Sequence, residues 1–214
     1  MKKFLFLFLT ATLCLCFFCG CKKSVNYLNF ISEKRTDIYL YSDDEIEIKI
    51  NIAERENPYS TDGIKGNMSA FCEIFVTLPK NYDEVSISVA EIEGQMNYKS
   101  VENCYYLQSG GNITGDTAEV TLSYGGESKK YSAVSVLYDG VISCEDAVKC
   151  AIDHDGDLFK SLTNKDIFLG EIFVRLLFDD GCYYYVGVCD RDKKITAYLI
   201  DGERGNVIAT KQLG

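Results

Sequence analysis

Strict alternation of apolar and polar positions runs through much of the chain. Glu45-Ile46-Glu47-Ile48-Lys49-Ile50-Asn51-Ile52 alternates without a break, as do Val85-Ser86-Ile87-Ser88-Val89 and Ala118-Glu119-Val120-Thr121-Leu122. Period two sends successive side chains to opposite faces, so each run reads as a strand with one wet and one buried face. Runs at 37–41, 70–78, 103–107 and 131–138 bring the count to about seven strands before residue 139. Turn clusters separate them: Ser42-Asp43-Asp44, Thr61-Asp62-Gly63, Pro79-Lys80-Asn81, Ser109-Gly110-Gly111 and Gly125-Gly126. Short strands of this one-sided kind predict two antiparallel sheets packed as a β-sandwich over 28–139.

At Ile142 the period changes. Ser143-Cys144-Glu145-Asp146 has capping-box form, and Cys144, Ala147, Val148, Ala151 and Ile152 fall on one helical stripe, with Gly156 placed to end the helix. Beyond an ambiguous stretch at 158–165, strands are expected at Phe168 to Phe178, Cys182 to Cys189, Ile195 to Ile200 and Val207 to Lys211. The short polar connections between them make hairpins. The expected fold class is therefore α+β and all-β: the sandwich, then one helix packed on an antiparallel β-meander over 141–214.

Three motifs in this second part carry a resemblance. Ile142, Ser143 and Ala147 open the helix, Tyr184 and Val186 sit in a tyrosine-rich strand, and Tyr198, Ile200, Asp201, Gly205 and Val207 form a strand–turn–strand pattern. Together they resemble a PepSY domain over about 70 residues, with Arg204 where that family usually has Thr. The resemblance implies the helix-on-meander fold and a loose association with propeptides of metalloproteases and with envelope proteins that restrain or respond to peptidases. It brings no catalytic residues. The residues themselves explain 201–205 as a hairpin turn.

The first 21 residues, MKKFLFLFLTATLCLCFFCGC, are laid out as an export signal, with two lysines, an apolar run and a small residue before Cys21. The segment resembles a bacterial lipobox, which implies cleavage of 1–20, diacylation of Cys21 and a lipidated tether over 21–27. The alternative is an uncleaved anchor, whose apolar run would be short for a span. Two acyl chains make anchoring stable, so the protein is expected on the extracytoplasmic face of the bacterial cell membrane. Its charge is −10, and losing Lys2 and Lys3 leaves 20 basic against 32 acidic residues, −12. Such a balance excludes a basic nucleic-acid binder and predicts a body that stands off anionic lipid.

Six thiols remain in the body. Cys144 and Cys150 share one predicted helix about 9 Å apart, and Cys182 and Cys189 share one strand about 23 Å apart, so neither pair can close. Free, buried thiols are the expectation, and without a C-x-x-C spacing neither zinc nor thioredoxin chemistry is indicated. His154, the one histidine, sits at a helix end among Asp153, Asp155 and Asp157, where the helix dipole accounts for it. An EF-hand loop from Asp153 would need Gly and Glu where Leu158 and Asn164 stand, so no metal is expected. No H-E-x-x-H, G-x-S-x-G or Walker motif occurs.

Most of the 15 Tyr and 12 Phe should be core or cross-strand partners, including Tyr184, Tyr198, Phe71 and Phe75. Tyr183, Tyr185 and an exposed sheet edge are the candidate surface for an extended peptide. The expectation is a non-enzymatic, cofactor-free binding or regulatory lipoprotein that engages an envelope protease or peptide. The alternatives are a carboxylate-based hydrolase of cell-wall glycan, signalled by paired carboxylates in a cleft, and a purely structural envelope module.

Overall fold

The computed structural model describes residues 25–57 and 66–214. Cys21 and the export signal lie outside the described residues. A 3-10 turn (Tyr27–Phe30) leads into β1 (Ile31–Ser42), β2 (Glu47–Asn57), β3 (Asn67–Thr77), β4 (Val85–Val89), β5 (Ile92–Gln95), β6 (Asn97–Lys99), β7 (Cys104–Gly110), β8 (Thr117–Tyr124) and β9 (Glu127–Ser135). Helices α1 (Cys144–His154) and α2 (Gly156–Ser161) follow. The chain then forms a small hairpin of β10 (Thr163–Asn164) and β11 (Ile167–Phe168), and ends in β12 (Glu171–Phe178), β13 (Cys182–Cys189), β14 (Ile195–Asp201) and β15 (Val207–Leu213).

This arrangement corrects the expected fold class. The chain is neither a sandwich followed by an α+β unit nor a PepSY-type helix on its own meander. Among the described residues it is mostly β, 57% strand against 12% helix, and thirteen strands form one nearly closed, barrel-like sheet. Sheet order runs β15-β14-β13-β12-β1-β2-β3-β7-β6, and a second limb leaves β1 through β9, β8, β4 and β5. The cause is β1, which at twelve residues is long enough to fork. Its start pairs in parallel with β12 (Ile31↔Ile172, Arg35↔Arg175), its end pairs antiparallel with β9 (Leu40↔Val134), and β2 pairs along its other edge. Alternation reports that a strand has one buried face; it does not report which strands share its edges.

The barrel interior is mainly aliphatic, with Ile48, Ile50, Ile74, Val76, Ile87, Val120 and Leu122 all almost wholly buried, and Tyr39 and Tyr105 are buried with them. β5 and β7 meet across the unpaired seam, where a Cβ on Gly94 would lie 3.2 Å from the Leu107 side chain. A second core lies between α1 and the β12–β14 limb. Ala147, Val148 and Ala151 pack there with Val174, Leu176, Tyr184, Val186 and Tyr198, and Tyr27 joins Phe159 and Phe168 at ring distances of 5.2 and 5.4 Å.

Two buried tyrosine hydroxyls clasp α1. Tyr184 donates to the Ile142 carbonyl at 2.6 Å, just ahead of the helix, and Tyr198 donates to Asp155 Oδ2 at 2.9 Å, just after it. At the N-cap the Ser143 hydroxyl accepts from the Asp146 amide at 3.0 Å, and Asp146 returns the contact by accepting the Ser143 hydroxyl proton at 2.8 Å. Gly156 does not stop this helix in the way its sequence position suggests. It is the first residue of α2, whose N-cap is Asp155, accepting from the Leu158 amide. The expected strand from Phe168 to Phe178 is likewise broken at Gly170, where a Cβ would sit 3.0 Å from the Cys189 carbonyl.

Candidate functional site

The sheet's outer edge at β15 is the candidate surface, built from the backbone upward. β15 pairs with β14 on one side (Tyr198↔Thr210, Ala197↔Lys211), and among the described residues no strand pairs with its other side. Five consecutive residues, Ile208 to Gln212, are exposed, with Ile208 at 49%. Natural edges are blunted by proline, charge or bulges. β15 has no proline and one charge, Lys211, and its register shift is at the far end, near Ile200 and Val207.

Beside this edge runs a shallow apolar trough of about 280 Å³, lined by Tyr185, Ala197, Leu199, Ala209, Lys211 and Leu213. The small alanines on neighbouring strands make the depression, and the Tyr185 ring walls it. That ring is held in place by Phe173, which stacks on it at 6.0 Å and 21°. Phe173 in turn lies across β13 over Gly187, where any Cβ would fall 2.1 Å from the ring, so glycine is required there.

Next to the trough, charge joins β12 to the barrel. Glu33 is 7% exposed, and its carboxylate accepts from Arg175 Nε at 2.6 Å and from Arg55 Nε at 2.6 Å. Burial pushes this carboxyl up, but the two guanidiniums outweigh it and hold it below the ordinary glutamate range. Arg35 reaches Glu73 at 3.6 Å and the Leu176 carbonyl at 3.5 Å. Three of the five arginines in the chain meet here. Two of the guanidiniums also sit over aromatic rings, Arg55 over Phe71 at 5.0 Å and Arg175 over Phe173 at 5.3 Å.

Of the two tyrosines singled out from sequence, Tyr185 lines the trough. Tyr183 shares its face of β13 but pairs with Leu177 and Asp201 nearer the other end of the strand, outside the trough. Ala197, Ala209 and Phe173 carry no mark in the sequence: the two alanines are diagonal neighbours, Ala197 opposite Lys211 and Ala209 opposite Leu199, and only the strand register brings them together. His154 meets Tyr198 edge to face at 6.0 Å. No group of three or more His, Cys, Asp or Glu able to hold a metal occurs among the described residues.

The thiols Cys72, Cys104, Cys144, Cys150, Cys182 and Cys189 are free. Burial raises every one of them, Cys144 to about 12, which leaves none activated as a thiolate. No helix among the described residues is long and apolar enough to cross a membrane. Comparison of the chain with protein-family models, with curated proteins and with solved structures finds no match.

Proposed function

We propose that this protein is a non-enzymatic binding lipoprotein of the bacterial envelope, tethered through lipid on Cys21, which takes up an extended polypeptide segment as an added strand on the outer edge of β15. The observation that carries this reading is the seven-residue unpaired edge with an apolar trough alongside it. An open edge supplies backbone donors and acceptors whose natural complement is another extended backbone. The trough supplies a pocket for an alternate side chain of the incoming strand. Lys211, with no carboxylate between Val207 and Leu213, favours a segment carrying acidic side chains.

Selection of peptides from a random display library on the detergent-solubilised protein tests this reading. Selected peptides are expected to be extended, to slow amide exchange across 207–213, and to lose at least about tenfold in affinity on Ala209→Trp, which fills the trough from an exposed position. Protection confined to another part of the sheet, or indifference to Ala209→Trp, refutes it.

A further inference from the structure

The β9-β8-β4-β5 limb of the barrel carries a second, chemically different cavity. It is an open cleft of about 800 Å³ between the loop at 80–84 and the β8–β9 hairpin, within the usual size range of small-molecule sites. Its floor follows the strand register. Gln95, Ser86, Ser123 and Ser128 stand side by side on β5, β4, β8 and β9, and the two serine hydroxyls of the hairpin are 3.1 Å apart.

The wall is Tyr82, and it is held rigidly. The buried Tyr105 hydroxyl accepts from the Tyr82 amide at 2.5 Å and donates to the Tyr82 carbonyl at 2.8 Å, so one side chain from inside the barrel pins both backbone groups of the loop residue. The ring of Tyr82 meets Tyr124 edge to face at 5.0 Å and rests against Gly125. Gly125 has φ +60°, and a Cβ there would lie 2.8 Å from the ring. Gly125 and Gly126 both have positive φ, as a two-residue hairpin turn requires, so turn chemistry and room for the aromatic ring are met by the same residue.

We infer that this cleft binds a neutral or amino-bearing oligosaccharide. Its lining is amide and hydroxyl (Asn81, Gln95 and the serines) around a fixed aromatic wall, a combination that matches a ring with polar edges and C–H faces. Charge selects within that class. Asp83, Glu84 and Glu127 line the cleft against Lys80 alone, and although Lys129 pairs with Glu127 at 3.2 Å, the balance stays negative and disfavours phosphate- or uronate-bearing polymers. The Tyr82 face already attracts a cation, Lys80 Nζ at 5.2 Å, and a sugar ammonium can take that place. Pinning of the loop before ligand arrives reduces the ordering cost of binding.

The test is calorimetric titration of the detergent-solubilised full-length protein with N-acetylglucosamine oligomers, glucosamine oligomers and, as the anionic probe, an oligogalacturonate. Saturable binding of either of the first two is expected, without competition from the third. Ser128→Trp, an exposed block of the cleft, should weaken it at least about tenfold, and Tyr82→Phe should leave it within about threefold. Absence of saturable binding up to millimolar oligosaccharide, preference for the anionic probe, or full affinity in Ser128→Trp overturns the inference. So does a peptide ligand that maps to this cleft. Ala209→Trp should have no effect on sugar binding, which separates this site from the β15 edge.

Discussion

Ile38 and Tyr39 are neighbours in β1, yet Ile38 belongs to the core beneath α1 and Tyr39 to the barrel interior. The two cores are built by different rules. In the barrel, β4 and β8 bury alternate residues and leave the others outside, so one face does the packing. In the other limb, Glu171 to Val174 are all buried, as are Val186 to Cys189, because α1 covers one face while Phe173 and the arginine cluster cover much of the other. A strand covered on both faces loses its alternating signature. Both cores bury tyrosines whose hydroxyls must find partners, but in different places: in the barrel Tyr39 donates to the Gly115 carbonyl and Tyr105 to the Tyr82 carbonyl, both in loops, whereas in the second core Tyr184 and Tyr198 reach the two ends of α1.

The comparison can be broken or sharpened by substitution. The largest effect is expected for Phe159→Ala, which empties a wholly buried site in the second core and should cost about 3–5 kcal/mol in chemical denaturation. A single transition shifting as a whole would show that β1 couples the cores; a second transition left unmoved would show that the barrel melts on its own. Glu33→Gln should cost about 1–3 kcal/mol, discounted because Arg55 and Arg175 are 43% and 39% exposed.

The same variant has a pH signature. The folded Glu33 carboxyl lies below its ordinary value of 4.5, so its stabilisation is complete above that pH and lost as pH falls through the lower folded value. Denaturation midpoints of Glu33→Gln should therefore depend less on pH in the acid range than those of the unmodified protein. Ser143→Ala, removing the α1 cap, should cost about 1 kcal/mol and raise amide exchange at the start of the helix without touching the barrel. Ile74→Val should cost about 0.5–1.5 kcal/mol and change only the barrel's exchange.

Strands with a wet face were legible in the sequence, as were the Ser143 cap and the Gly125-Gly126 turn. What was not legible has a physical cause in each case. β5 and β6 are too short to show a period, and β5 is recognised by its partner β4 rather than by its own residues. The fork in β1 is invisible because Ile31 to Arg35 meet β12 about 140 residues later in the chain, through a parallel pairing with no local turn to announce it. Glu33, Arg55 and Arg175 each look like an ordinary surface charge until three strands bring them together. Gly156 carries the usual mark of a helix stop, and Asp155 overrides it by capping a new one.

The fork in β1 also sets how the molecule bears load. A pull arriving along the chain ahead of Tyr27 reaches Ile31 to Arg35 first, and this segment is laddered to β12 on one side and β2 on the other. Extracting it means rupturing two ladders and the Tyr27–Phe159–Phe168 ring cluster together, rather than unzipping a single edge. Under the proposed tether at Cys21, load therefore enters at a strand that pairs with three others, whereas a strand added to β15 would pull on one that is held along a single edge among the described residues.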